Sequence, residues 1–162
     1  YVIVPITYRY YSEIITYAFM TLPISILSII QWINNPFKGN KTEVEVAKLD
    51  KETYMYIILG GVCVSIVFYF VLDWLKTPNI EFSTISIFTS FIASFLSLKR
   101  SPFYAIAYAV NDIVLIILWV LATIKDISYL AIVICFASFF VNDLYGFYNW
   151  SKMLKRQSKE LK

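Results

Sequence analysis

Two Asn-Asp pairs, Asn111-Asp112 and Asn142-Asp143, stand inside otherwise apolar runs of this chain. A carboxylate at the centre of a bilayer costs about 2.5–3.5 kcal/mol on insertion scales. A chain that carries two must turn them towards a cavity or a polar bundle interior. Around the first pair Tyr104, Tyr108, Asn111, Asp112, Leu115 and Trp119 recur at helical spacing; around the second, Ser138, Asn142, Tyr145 and Asn149 do the same. Aromatic faces supply stacking area, amides orient hydroxyls, and a carboxylate meets positive charge. Together they suit a flat heterocycle joined to a sugar. The candidate substrate-binding residues are therefore Tyr104, Tyr108, Asn111, Asp112, Trp119, Asn142, Tyr145 and Asn149.

A competing reading treats the same polar groups as hydrogen bonds between helices, with Tyr and Trp as interfacial anchors. It applies most directly to Trp32, Trp119, Tyr129 and Trp150, near the ends of apolar runs. No Lys or Arg lies inside any such run, so Asp112 and Asp143 need a proton, hydrogen bonds or a cationic ligand. Aromatic faces also attract cations. Asp143 points away from the Asn142–Tyr145–Asn149 stripe and is expected to serve packing. A third stripe, Ser83, Ser86, Ser90, Ser94 and Ser97, suits close helix packing, with pore lining as the alternative.

Catalytic chemistry is poorly supplied. The chain has no His, which removes the commonest general base and zinc ligand. Cys63 and Cys135 each stand alone in apolar sequence. No nucleophile–base set, phosphate-binding Gly-rich loop or metal-ligand spacing is present. The expectation is a protein that is not an enzyme, with no cofactor, no metal and no nucleic-acid partner.

The elements that must position these residues are membrane spans. Of 162 residues, 59% are hydrophobic and 19% aromatic, with mean hydropathy +0.67. A bilayer span needs about 20 apolar residues, and five segments qualify: 14–33, 54–72, 80–98, 102–124 and 127–150. Pro23 should kink the first. The polar segment 34–52 is the only long linker, and residues 152–162 form a basic tail. Placing the C-terminus in the cytoplasm puts eleven of the fourteen Lys and Arg inside, leaving Arg9, Lys76 and Lys125 outside. Residues 1–13 then lie outside. The chain opens at Tyr1 in apolar sequence, so residues 1–7 read as the tail of an earlier span lost to truncation. Shifted by 118 residues, 11–32 falls on 129–150, with Trp32 meeting Trp150.

The stretch from Lys99-Arg100 through Asp112 and Trp119 to the closing Tyr-Gly-Phe-Tyr-Asn-Trp (residues 145–150) resembles the PnuC family of bacterial vitamin transporters. The likeness is best over about residues 80–150. With the repeat, it implies an all-α integral membrane fold of SWEET-like parallel three-helix bundles joined by a linker helix, the first bundle incomplete. The division is 1–34 (remnant of the first bundle), 35–52 (cytoplasmic linker), 53–77 (linker helix), 80–150 (second bundle) and 151–162 (tail). The resemblance implies facilitated diffusion of a small aromatic nucleoside-like vitamin, foremost nicotinamide riboside, with metabolic trapping. It also implies a multi-pass place in the bacterial inner membrane, the lipid bilayer as surroundings, and a homotrimer. Thiamine or another nucleoside-like vitamin is the alternative substrate, and a non-transporting membrane scaffold the alternative function. Typical members carry Glu-Asn-Trp-x-x-Trp nine residues ahead of the Asp. Here those places hold Phe103, Tyr104, Ala105, Ile106, Ala107 and Tyr108, so only the last aromatic is kept.

Overall fold

The computed structural model describes residues 16–38 and 40–161. The expected remnant at 1–7, the outside segment 1–13 and the start of the 118-residue repeat at Tyr11 lie outside the described residues. Among the described residues five helices are long and apolar enough to cross a membrane, and the protein is a multi-pass membrane protein.

A π-helical turn, Thr16–Thr21, leads into α1 (Leu22–Asn34). Pro23 falls at the start of α1. Proline has no N–H to donate but carries a helical φ, so it suits the first turn of a new α segment. The expected kink therefore takes the form of a change in helix type at Leu22.

The polar linker is not featureless. Strands β1 (Pro36–Phe37) and β2 (Asn40–Val44) pair antiparallel, Pro36 with Val44 and Phe37 with Asn40. Asp50 then caps α2 (Lys51–Trp74) by accepting from the Thr53 N–H at 3.3 Å. Helix α3 (Ile80–Leu98) occupies the expected span. Helix α4 (Phe103–Lys125) follows, then a 3-10 turn (Ile127–Tyr129) and α5 (Leu130–Glu160). Asp126 ties the α4–α5 connection by accepting from Ser128 N at 2.9 Å.

Two helix ends share one device. The Thr77 and Lys76 N–H groups return to Leu72 and Asp73 carbonyls, and those of Ser101 and Arg100 to Leu96 and Ser97. Each is a Schellman closure, with Lys76 (φ 52°) and Arg100 (φ 57°) in the left-handed position usually given to glycine.

Helix α5 has 31 residues, or about 46 Å at 1.5 Å each. That exceeds a hydrocarbon core of about 30 Å, so its last turns reach beyond the membrane to the hairpin. Gln157, 2% exposed, clasps the two together. Its Oε1 accepts from Val46 N at 2.9 Å, while Nε2 donates to Val44 O at 2.9 Å and Glu43 Oε1 at 2.7 Å. Arg156 pairs with Glu43, and Lys38 Nζ donates to the Glu160 carbonyl at 3.0 Å. The Gln157 hydrogen bond and the Arg156 charge hold the Glu43 carboxyl below the usual glutamate range.

This arrangement corrects the expected SWEET-like three-helix-bundle repeats joined by a linker helix. The described spans form one helical bundle and do not divide into two. The end of α1 is built into the α3–α4–α5 assembly: the Trp32 indole donates to Ser97 O at 3.0 Å. Its ring centroid lies 5.9 Å from Tyr104 and 5.1 Å from Trp150. The alignment of Trp32 with Trp150 is thus a contact inside a single bundle. Helix α2 packs on α3 through Gly60 and Gly61, where an added Cβ would meet Phe91 at 3.3 Å and Phe88 at 3.1 Å. The absent side chains are what permit that approach.

Candidate functional site

One face of α4 carries Ala105, Ala109, Asn111, Asp112, Leu115, Leu118, Trp119 and Ala122 into the interior. Small residues bring the neighbouring helices close, so the polar groups among them are enclosed. Asn111 and Asp112 lie near mid-helix, 3% and 4% exposed. Asn111 Oδ1 accepts from Ser90 Oγ at 2.9 Å and Thr89 Oγ1 at 2.8 Å, which sets the amide's orientation. The Tyr108 hydroxyl lies 3.2 Å from Ser94 Oγ. The serine stripe of α3 is fully buried, and two of its hydroxyls hold α4 side chains in place.

These groups border a cavity of about 270 Å³. Tyr17 and Thr21 close it from the π-turn, Ser90 from α3, and Tyr108, Asn111 and Asp112 from α4. Helix α5 contributes Phe136, Phe139 and Asp143. Asp112 and Asp143 reach this cavity from the two facing helices. Asp112 Oδ2 is buried without a hydrogen-bond partner. No Lys or Arg lines the cavity among the described residues.

Above the cavity, towards the basic end of the bundle, the rings continue as a ladder. Tyr104 lies 6.2 Å from Tyr108, 5.9 Å from Trp32 and 4.9 Å from Trp150, all edge-on. Below it, Trp119 is completely buried, 5.4 Å from the Tyr129 ring and clustered with Leu115, Leu118, Ala122 and Phe136. Phe136 belongs to both that cluster and the cavity wall.

Of the residues expected from sequence, the structure brings Tyr108, Asn111 and Asp112 together, with Tyr104 one turn above. Trp119 is one layer below. Asn142, Tyr145 and Asn149 face outward, Tyr145 being 66% exposed, and Asn149 borders a groove with Glu43, Lys152, Met153 and Arg156. Asp143 does point away from that stripe, but towards the cavity. Sequence reasoning passed over it, together with Tyr17, Thr21, Phe136 and Phe139. A signal was present: Tyr129, Phe136, Asp143, Trp150 and Gln157 fall at steps of seven, and these are the inward positions of the last helix.

The position of the first Trp in the family run is held by Ala105, 1% exposed, whose Cβ would lie 3.7 Å from one added at Gly146. Helices α4 and α5 nearly touch there. The aromatic side chains that line the cavity are Tyr17, Tyr108, Phe136 and Phe139.

Comparison with known proteins bears on the family and the fold. A family model described as nicotinamide mononucleotide transporter matches residues 1–152. The nicotinamide riboside transporter PnuC of Neisseria mucosa is 23% identical over 165 residues. That match covers 98% of this chain and 62% of the relative, so the chain spans under two thirds of the relative's length. A crystal structure of the vitamin B3 transporter PnuC superposes with a TM-score of 0.79 at 21% identity, over 97% of this chain and 68% of that one. The fold is therefore a PnuC-like bundle of membrane-spanning helices, in place of the three-helix repeats expected. The family is one of transporters and not of enzymes. With its matched model spanning nearly the whole sequence, the chain belongs to the nicotinamide mononucleotide transporter family.

Proposed function

We propose that the protein moves a small cationic, nucleoside-like vitamin across the bacterial inner membrane, with nicotinamide riboside the best fit. The observation that carries this reading is the unpartnered Asp112 Oδ2 beside an aromatic-walled cavity in mid-bundle. A pyridinium ring would lie against Tyr108, Phe136 and Phe139, its charge meeting Asp112 and Asp143. Asn111 would orient the ribose side. The volume of about 270 Å³ lies just below the usual range of ligand pockets, which starts near 300 Å³.

Two carboxyl groups and, among the described residues, no basic lining residue disfavour a phosphate, so the riboside is preferred to the mononucleotide. Movement is by facilitated diffusion, the ladder of Tyr104, Trp32 and Trp150 parting towards the cytoplasm, where the C-terminal end lies. The test is binding by purified full-length protein of nicotinamide riboside, nicotinamide mononucleotide, thiamine and an uncharged nucleoside. The expected order puts the riboside first and the mononucleotide at least tenfold weaker. Preference for the mononucleotide, or no binding by any of the four, would overturn the assignment.

A further inference from the structure

The carboxyl pair at the cavity does more than supply negative charge. Asp112 and Asp143 line the same small cavity from two helices, and Asp112 is 4% exposed, so two ionised carboxylates there would repel with little screening. Two carboxylates that share one enclosed site do not both ionise unless positive charge joins them, so one proton is held between the two. Among the described residues the groups around the cavity offer no positive charge. Helix α4 presents the phenols of Tyr104 and Tyr108 and the Asn111 amide; α3 presents Ser90; the π-turn presents the Tyr17 phenol and Thr21. Helix α5 adds the phenylalanines Phe136 and Phe139. Phenols are uncharged at neutral pH. Meanwhile Asp112 is nine-tenths buried, with Oδ2 unpartnered at the cavity.

We infer that binding at this cavity is an exchange: a singly charged cationic ligand enters as the Asp112–Asp143 pair releases the one proton it holds. The inference rests on the cavity being the substrate site. The charges balance. Without ligand the pair carries one negative charge and one proton. With ligand it carries two negative charges and one ligand cation, and the proton has gone to solvent. The net charge of the site is the same in both states, so a low-dielectric interior can accept a cation without a new unbalanced charge. A neutral ligand of the same shape leaves the proton where it is. The site therefore distinguishes cations from isosteres by pH.

The experiment is calorimetric titration of the full-length protein at pH 7, in two buffers of different ionisation enthalpy. One probe is nicotinamide riboside, the other its uncharged dihydro form. The expected result is close to one proton released per cation bound and none with the neutral form. Below neutrality the cation's Kd should weaken by about tenfold per pH unit, while that of the neutral form stays flat. Asp143→Asn should abolish proton release while leaving measurable cation binding, because an amide can still donate to Asp112. Cation binding by the unaltered protein without proton release would overturn the exchange and leave the substrate site standing. Failure of both probes to bind would remove the site itself, and the exchange with it.

Discussion

Replacing Asp112 by Asn separates electrostatics from shape at the cavity. The side chains are nearly isosteric, and an Asn amide can donate to Asp143 in place of the shared proton, so stability should change by less than about 1 kcal/mol. Binding of a cationic ring should lose one charge-assisted contact. Because Asp112 is 4% exposed and its Oδ2 has no competing partner, solvent screens that contact little. The loss should be about 1–3 kcal/mol, roughly 5- to 150-fold in Kd. The uncharged dihydro analogue should change by less than about threefold, since it forfeits only a neutral hydrogen bond. Asp143→Asn should behave similarly, because Asp143 shares the proton and the cavity wall. The assay is equilibrium binding of both ligands to purified variants, with thermal unfolding in the same detergent to certify folding. A folded Asp112→Asn protein with an unchanged cation-to-neutral affinity ratio would refute the reasoning and make the carboxylate structural.

Three further outcomes follow from the packing. Gly61→Val should lower stability by about 1–3 kcal/mol, read as a drop in Tm, because its Cβ would meet Phe88 at 3.1 Å; an unchanged Tm would mean that α2 and α3 are not in that contact. Gln157→Ala removes three hydrogen bonds between the hairpin and α5, and should cost about 2–4 kcal/mol while raising protease cleavage within residues 36–46. The Glu43 part of this clasp has the sign of a depressed carboxyl: its stabilisation is present above the ordinary glutamate value of 4.5 and fades as pH falls below it. Acid should therefore loosen the hairpin in the unaltered protein and much less in Glu43→Gln, by hydrogen exchange. For orientation, a reporter fused after Lys162 should be cytoplasmic, and a cysteine at Lys125 should react with an impermeant reagent from outside; labelling of the tail from outside would reverse the topology.

The sequence by itself determined the membrane class and the spans, because a bilayer imposes one rule on every segment that crosses it: enough consecutive apolar residues. Span 80–98 coincides with α3, and the others fall within a few residues of their helices except at the last end. It also determined Asp112, Asn111 and Tyr108 as a group, since three and four residues along one helix are neighbours wherever that helix lies. What one helix cannot state is which of its faces meets another. On α5 the polar stripe of Asn142, Tyr145 and Asn149 was the conspicuous one, yet it faces outward. The inward face is the heptad from Tyr129 to Gln157, on which Asp143 looks like an interruption until Asp112 lies opposite. The π-turn's share of the cavity, the hairpin clasped by Gln157, and the joining of α1 to the main bundle were likewise decided between segments far apart in the chain. Those contacts depend on shape and hydrogen-bond complementarity between surfaces, which periodicity within a single helix does not encode.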